Sequence, residues 1–288
     1  MSRDKPTDPL FKTVYILGTG LIGGSLALDI KATGVAEEVV GSDSDEEALG
    51  NALKLGILDR HLPPTLENLS QCDLVVLAIP VLQLAGMLQK GFAPGTLVTD
   101  VGSVKLPLVR AYQQACREGF DYGFIPGHPI AGDEKSGPQA AREGLYRGAR
   151  VILTPILKDD PNVQTVTSMW SAAGANVQVM EAEHHDEIFA WVSHLPHMAA
   201  YNIVQAVMKK DRSWVSLSGG GLKDYTRIAA SNPGMWADIA VANREFLLEA
   251  MTGLRNGLAE IYSAVESGDR DALEDLFQRI ATARRESK

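Results

Sequence analysis

Residues 13–29 read Thr-Val-Tyr-Ile-Leu-Gly-Thr-Gly-Leu-Ile-Gly-Gly-Ser-Leu-Ala-Leu-Asp, and this stretch decides the fold. The uninterrupted apolar run Val14–Leu17 is typical of a buried strand. The residues Leu21–Ile30 predict a helix that packs back onto the sheet. A strand, a glycine-rich turn and a helix in this order indicate an α/β fold.

The glycines of the turn follow the spacing Gly-x-Gly-x-x-Gly, with Gly18, Gly20 and Gly23. Gly18 allows the tight turn, Gly20 lets a pyrophosphate approach the backbone, and Gly23 lets the helix lie close to its strand. The N–H groups of the first helical turn, which begins with Leu21 and Ile22, have no partners within the helix and point where a diphosphate would lie. The spacing therefore predicts a dinucleotide site, the alternative being a strand–turn–helix without a ligand.

Asp43 indicates which dinucleotide the turn accepts. It follows a second apolar run, residues 38–41, and lies 20 positions after Gly23. A carboxylate there accepts hydrogen bonds from a ribose diol, whereas it would repel a 2′-phosphate, and no arginine stands beside it. The sequence thus favours NAD over NADP. Pro80 lies just past the end of a further buried strand, predicted over Cys72–Ile79, and is assigned to the same cofactor site.

The composition limits the class of protein. A chain of 288 residues is long enough for one large or two ordinary domains. The net charge of −9 argues against nucleic acid or an anionic membrane as a partner. Only two cysteines are present, Cys72 and Cys116, which favours reduced thiols in a cytoplasmic protein. The polar residues 1–10 do not resemble a signal peptide, and no apolar stretch is suited to crossing a bilayer.

The pattern of elements changes near residue 181. Strand and helix patterns alternate from residue 13 to about 118, which predicts a doubly wound parallel sheet. Further strands are predicted at 122–126, 150–154 and 176–180. Beyond them only helices are predicted, at 183–210 with a kink at Pro196, around 224–230, at 235–266 and at 269–284. We therefore expect a nucleotide-binding domain over 1–181 and a helical domain over 182–288.

Three polar residues are candidates for catalysis or substrate binding, and two of them, Ser103 and His128, follow predicted strands at the carboxyl edge where an α/β sheet binds ligands. His128, in Gly-His-Pro, suits a general base, because an imidazole accepts a proton near neutral pH. Ser103 is placed either to cap the following helix or to orient an imidazole. Arg227 follows the flexible run Gly219–Gly221, and its guanidinium can bind a substrate carboxylate through two hydrogen bonds. A solvent-exposed ion pair with Asp224 is equally compatible with the sequence.

Four of the six histidines cluster in the helical part, at positions 184, 185, 194 and 197. His194 and His197 are three residues apart and share a helix face. A metal site is one interpretation of the cluster, but no cysteine completes a ligand set, so no metal is predicted. Contact between His197 and a substrate is the favoured interpretation.

Taken together, the motifs resemble the prephenate/arogenate dehydrogenase family of tyrosine biosynthesis. The first match, shared by many dehydrogenases, is the glycine turn with Gly24 and Ser25. More specific matches follow in family order: Asp-Val-Gly-Ser-Val-Lys at 100–105, Gly-His-Pro-Ile-Ala-Gly at 127–132, Ser-His-Leu-Pro-His at 193–197, Asp-Tyr-Thr-Arg-Ile-Ala at 224–229 and Met-Trp at 235–236.

The resemblance implies an NAD-binding Rossmann domain and a helical domain that forms a homodimer. It also implies the oxidative decarboxylation of prephenate or arogenate. By analogy, His128 takes the proton of the ring hydroxyl, and Ser103 orients His128 and the nicotinamide. His197 would contact the substrate, Arg227 would bind its carboxylate, and Trp236 would line its pocket.

Asp133 departs from the family pattern, in which a small hydroxyl residue is common. With Glu134 beside it, Asp133 is expected to favour the amine of arogenate over the keto acid of prephenate. Two other functions remain open on the sequence. One is a β-hydroxyacid dehydrogenase, although residues 183–192 lack that family's lysine base. The other is a non-catalytic NAD-binding sensor, which would need the glycine turn but neither His128 nor Arg227.

Overall fold

The structure is a computed structural model that describes residues 8–133, 135–157 and 159–287. Glu134 and residues 1–7, to which two of the sequence expectations refer, lie outside the described residues. Within the described part of the chain, no helix is both long and apolar enough to cross a membrane.

A six-stranded parallel sheet forms the first part of the chain, in the order β3-β2-β1-β4-β5-β6. Its strands are β1 (Phe11–Leu17), β2 (Ala36–Ser42), β3 (Arg60–His61), β4 (Leu74–Leu77), β5 (Leu97–Asp100) and β6 (Gly123–Ile125). The connecting helices are α1 (Leu21–Thr33), α2 (Glu46–Lys54), α3 (Leu66–Leu69), α4 (Val81–Lys90) and α5 (Leu106–Arg117). The predicted doubly wound sheet is confirmed.

The central strands are buried because helices cover both faces of the sheet. Successive side chains of β1 alternate between two apolar clusters, with Val14 and Ile16 in one and Tyr15 and Leu17 in the other. The strand order reverses between β1 and β4. In open α/β sheets this reversal leaves a crevice beyond the carboxyl ends of the strands, where ligands bind.

A second, smaller sheet was not anticipated from the sequence. It contains β7 (Gly127–Ile130), β8 (Arg150–Leu153) and β9 (Asn176–Val179), with α6 (Asn162–Ala172) between the last two. Strand β7 is antiparallel to β8, and β8 is parallel to β9. The chain leaves the first sheet at Pro126, which has no N–H to donate to a strand ladder. As a result, His128 lies inside a strand of the second sheet rather than in a loop.

The remainder is helical, as predicted. Its helices are α7 (Ala182–Phe189), α8 (Leu195–Lys210), α9 (Gly220–Thr226), α10 (Pro233–Ala242), α11 (Arg244–Ser267) and α12 (Arg270–Glu286). A wider π-helical turn, Ala190–His194, joins α7 to α8. Helix α7 packs on α5 and helix α10 packs on α4, so the helical part contacts the carboxyl edge of the large sheet.

One prediction about these helices was wrong. The expected single helix 235–266 is interrupted at Asn243, whose backbone has φ −104° and ψ 32° and whose side chain bonds to neighbouring elements instead. Helical backbone runs without a break from Ala182 to Lys210, as predicted, and Pro196 lies inside this stretch. The π-helical turn Ala190–His194 directly precedes Pro196, so the helix is locally irregular beside the proline.

Candidate active site

Each glycine of the turn after β1 has a different reason to be glycine. Gly18 has a φ of +97°, and a Cβ there would lie 2.3 Å from the carbonyl oxygen of Ala78. A Cβ on Gly23 would lie 2.1 Å from the carbonyl oxygen of Gly18. Gly20 has an ordinary φ of −64°, and a Cβ there would meet nothing within 4 Å. The protein's own packing therefore does not explain Gly20, whereas the approach of a ligand would.

The turn has the features of an anion site. Helix α1 begins at Leu21 and Ile22, and its N-terminus has neither a side-chain cap nor an acidic residue in the first turn. Asp43, at the end of β2, accepts hydrogen bonds from the backbone N–H and the hydroxyl of Thr19, at 2.7 Å and 2.9 Å. Pro80 follows β4 and is the residue directly before α4. All these residues lie at the crevice where the strand order reverses.

A buried ion pair holds the strand that carries the candidate base. Lys105 and Asp100 are fully buried and hydrogen-bonded to each other. Lys105 also donates to the carbonyl oxygen of Gly127 at 2.7 Å, and Asp100 accepts from the N–H of Gly127 at 3.1 Å. Both polar backbone groups of Gly127 are thus bound by side chains from the last residue of β5 and from the segment that links β5 to α5. The position of the next residue, His128, is fixed by the same contacts.

His128 is 9% exposed, and the Nδ1 of its imidazole lies 2.8 Å from Nε2 of His185. The ring of Phe189 lies edge-on to it, with centroids 4.9 Å apart. Burial lowers the pKa of His128 well below 6.5, and the nearby His185, Lys105 and His194 lower it further. His128 is therefore neutral at physiological pH, which is the state of a proton acceptor.

His185 connects His128 to a buried carboxylate. Its Nδ1 lies 2.7 Å from Oδ1 of Asp186. Asp186 also accepts hydrogen bonds from the backbone N–H groups of Lys105 and Leu106, both at 2.8 Å. This contact joins α7 of the helical part to the N-terminus of α5 in the nucleotide-binding part.

A second group of rings lies on α8 and α10. His197 stacks on Trp236, with ring centroids 3.5 Å apart, and its Nδ1 is 3.0 Å from the carbonyl oxygen of Ser193. His194 is buried, and its Nδ1 is 3.0 Å from the side-chain nitrogen of Asn243. Within the described residues, Nε2 of His194 and Nε1 of Trp236 make no hydrogen bond although both are buried. Unpaired buried N–H groups of this kind suit a polar ligand.

Ser103 does not cap the following helix, contrary to one of its two sequence interpretations. Lys105 occupies the cap position without a capping side chain, and Asp186 accepts the first N–H groups instead. In the part of the chain that the structure describes, no hydrogen bond joins Ser103 to His128. The serine is half-buried in the segment between β5 and α5.

Arg227 and Asp133 are both exposed. Arg227 begins a short 3₁₀ turn, Arg227–Ala230, that packs against α8, the helix that carries His197. Asp133 lies three residues past the end of β7 and forms an ion pair with Arg142, whose Nη1 is 3.2 Å from its Oδ2.

The sequence analysis missed several residues of this arrangement. Lys105 and Asp100 belong to the motif at 100–105, but only Ser103 was assigned a role. An aspartate at the end of an apolar strand, with a lysine five residues later, was the sequence signal for a buried ion pair. His185 was noted only as one of four histidines, and Asp186 and Asn243 had no signal in the sequence. Among the described residues, no three potential metal ligands come together.

The chain matches two family models and several known proteins. The model "Prephenate dehydrogenase, nucleotide-binding domain" matches residues 26–179, and "Prephenate dehydrogenase, dimerization domain" matches residues 181–279. The chain is 35% identical to the prephenate dehydrogenase of Bacillus subtilis over 94% of its own length and 74% of that protein's. It is 32% identical to the cyclohexadienyl dehydrogenase of Zymomonas mobilis, over 96% of each.

A solved structure is similar over nearly the whole chain. It is the prephenate dehydrogenase of Aquifex aeolicus in complex with hydroxyphenyl propionate and NAD+. The two chains share 32% identity and a TM-score of 0.86, over 96% of this chain and 98% of that one.

Proposed function

The chain belongs to the prephenate dehydrogenase family and is an NAD-dependent dehydrogenase of prephenate or arogenate, and on this basis we propose that His128 is its general base. The observation that carries the proposal is the 2.8 Å contact between His128 Nδ1 and His185. It occupies one ring nitrogen and leaves Nε2 for the substrate. Oxidation of an alcohol requires the hydroxyl proton to leave as the carbon loses hydride, so a positioned base speeds the step.

The glycine turn fits NAD. Gly20 has open space where a Cβ would stand, and the uncapped N-terminus of α1 suits the pyrophosphate. We propose that Gly18, Gly20, Leu21, Ile22 and Gly23 form this cradle. Asp43 would bind the ribose diol, and Pro80 would line the crevice beyond β4. When bound, NAD supplies the acceptor of the hydride.

The proton balance of the reaction assigns two tasks to His128. Its Nε2 first takes the proton of the ring hydroxyl, while the same carbon gives up its hydride and becomes a carbonyl. The bond to the ring carboxylate then breaks, carbon dioxide leaves, and the electron pair makes the ring aromatic. The oxygen now bears a negative charge, and the His128 imidazolium can return the proton to it. Because aromatisation drives the second step, the protein chiefly needs to position the substrate.

Three further residues are proposed to bind the substrate. His197 and Trp236 form a stacked pair whose indole N–H lacks a partner within the described residues, which suits a substrate oxygen. Arg227 lies in a turn that packs on the same helix as His197, and a guanidinium binds a carboxylate in two-point fashion. We assign Ser103 to the nicotinamide side of the crevice, because it follows β5 at the carboxyl edge of the sheet.

Asp133 is proposed to favour arogenate. The side chain of arogenate ends in an ammonium and a carboxylate, whereas prephenate ends in a keto acid. The pair of Asp133 and Arg142 offers both opposite charges to an amino acid head group. The rate of NADH formation should be measured with each substrate in the wild type and in Asp133→Asn. We expect the arogenate-to-prephenate ratio of kcat/KM to fall about threefold to tenfold.

An exposed carboxylate at the amino-terminal end of β6, away from the carboxyl edge of the sheet, provides the control for this experiment. Asp121→Asn removes the same charge between α5 and β6 and should leave the ratio unchanged. If the ratio in Asp133→Asn equals that of the wild type, the proposed selectivity is wrong.

The match to a dimerization domain supports assembly into dimers. We propose a homodimer formed through the helical part, with α11 as its main contact. Apolar side chains on α11 recur every three or four residues and are exposed: Leu248, Met251, Leu254, Leu258, Tyr262 and Val265. A stripe of this kind on a single helix usually covers another surface. Leu258→Glu should shift the mass measured by sedimentation from dimer to monomer.

Domain limits and location are further proposals. We place the boundary at residue 181, between the end of β9 at Val179 and the start of α7 at Ala182. We infer a cytoplasmic enzyme, which is supported by two free cysteines, Cys72 and Cys116.

A further inference from the structure

We infer that His185 and Asp186 are positioning residues that hold His128 in the tautomer required for catalysis. The inference rests on the proposed role of His128 as the base. The three side chains form a continuous series, with 2.8 Å between the two histidines and 2.7 Å between His185 and the carboxylate. All three are buried, so water does not compete for these contacts.

The direction of the hydrogen bonds follows from the chemistry of the carboxylate. An ionised carboxylate can only accept, so Nδ1 of His185 must carry the proton that it shares with Asp186. A neutral His185 then has a lone pair on Nε2. Nδ1 of His128 must therefore be the donor, which leaves the lone pair of His128 on Nε2. That nitrogen makes no hydrogen bond in the part of the chain that the structure describes.

The surrounding hydrogen bonds fix the position of Asp186. It accepts the N–H groups of Lys105 and Leu106 at the start of α5, where the helix dipole favours negative charge. Its backbone oxygen accepts from Asn243 at 2.8 Å. The contact with α5 crosses from the helical part to the nucleotide-binding part. Correct docking of the two parts is thus a condition for the correct tautomer of His128.

The other groups near the two histidines do not determine which nitrogen of His128 carries the proton. Lys105 and His194 both lower the pKa of His128, but neither is hydrogen-bonded to its ring. Asp100 is bound to Lys105 and Gly127. Phe189 packs against both imidazoles and offers no polar atom. His185 is therefore the group whose hydrogen bond selects the proton position on His128.

Two substitutions of His185 separate positioning from packing. His185→Leu fills part of the space but cannot accept from His128. We expect kcat to fall about 100-fold while the KM of the substrate and the Kd of NAD stay within about threefold. His185→Gln retains an acceptor for His128 and a donor for Asp186. Its kcat should therefore be at least about tenfold higher than that of His185→Leu. His184→Leu changes the neighbouring exposed histidine and should leave kcat unchanged.

The same tautomer can be observed in the wild-type enzyme without any change at position 185. Nitrogen-15 NMR of imidazole-labelled protein distinguishes the two neutral forms, and the His128 signals are identified by their absence in His128→Asn. We expect Nδ1 to carry the proton. Asp186→Asn can donate to His185 and reverse the series, so its His128 should carry the proton on Nε2 and kcat should fall at least about 100-fold.

Several results would overturn the inference. They are a wild-type His128 protonated on Nε2, a His185→Leu variant with kcat within threefold of wild type, or equal losses in the Leu and Gln variants. These are distinct from failure of the proposed function itself. That failure would appear as normal turnover by His128→Asn, whatever the tautomer found by NMR.

Discussion

The ring of His197 lies on the indole of Trp236, with centroids 3.5 Å apart and planes inclined by 22°. His197 lies in α8 and Trp236 in α10, so the stack holds two helices together. Trp236 is 7% exposed, and its indole N–H has no hydrogen bond within the described residues. The stack therefore combines a rigid surface with one donor that has no partner within the described residues, which supports the proposal that Trp236 lines the substrate pocket.

Trp236→Phe should separate these two roles. Phenylalanine can maintain a ring stack, but it cannot donate a hydrogen bond. We expect the KM of the substrate to rise about threefold to tenfold, as for the loss of one hydrogen bond, while kcat stays within about twofold. Steady-state kinetics at saturating NAD provide the measurement. An unchanged KM would mean that the indole N–H does not contact the substrate.

Gly20→Ala should weaken cofactor binding without weakening the fold. An alanine tolerates the φ of −64° at this position, and its Cβ would contact no protein atom within 4 Å. We expect the Kd of NAD to rise about tenfold or more, because the methyl group would occupy the approach of the pyrophosphate. The melting temperature without NAD should stay within a few degrees of wild type.

Gly50→Ala provides the matched control, since a Cβ there also meets nothing within 4 Å. It lies inside α2 and should leave the Kd of NAD unchanged. Equal affinities for NAD in the wild type and in Gly20→Ala would remove the argument that Gly20 exists for a ligand.

The pH profile of kcat/KM should report the low pKa of His128. Burial, aided by His185, Lys105 and His194, lowers this pKa well below 6.5. The base thus stays neutral as the pH falls through 6.5, and activity should decline only at lower pH. The acid limb of kcat/KM for the free enzyme should accordingly have its midpoint below 6.5. A midpoint above 6.5 would contradict the environment described for His128.

Stability should fall on acidification, partly because of His194. Burial lowers the pKa of His194 from 6.5 to about 4. Since the folded pKa is the lower one, the unfolded chain takes up the proton first as the pH falls from 6.5 towards 4. The contribution of His194 is complete above pH 6.5, and about 3 kcal/mol of unfolding free energy is lost by pH 4.

The measurement is urea unfolding over this pH range at a fixed protein concentration. The slope of the unfolding free energy against pH is proportional to the number of protons taken up on unfolding. His194→Gln should reduce that number by up to one. His184→Gln removes an exposed histidine and serves as the control for the loss of one imidazole. A His194→Gln slope equal to that of wild type would show that His194 is not the titrating group.

Much of the nucleotide-binding part was predictable because it is encoded locally. The buried strands are short apolar runs, and Gly18, Gly20 and Gly23 each stand within one turn of the element that they serve. Asp43 follows directly from its spacing to that turn. The second sheet was missed because its first strand, Gly127–Ile130, has no alternating pattern and directly follows another strand.

The arrangement around His128 was less predictable because its contacts are distant in sequence. His128 and His185 are 57 residues apart, and Asp186 and Lys105 are 81 residues apart. These contacts depend on how the helical part docks on the sheet, and no local pattern reports that. The same docking explains the break at Asn243, where side-chain bonds to Asp186 and His194 replace helix continuity.

The most direct test of the central claim is the rate of NADH formation by His128→Asn in a single turnover. The variant should first be shown by titration to bind NAD as tightly as the wild type. With prephenate and with arogenate, we expect the wild type to form NADH and the variant to be slower by a factor on the order of 10²–10⁴. If His128→Asn binds NAD normally and forms NADH within tenfold of the wild-type rate, His128 is not the base.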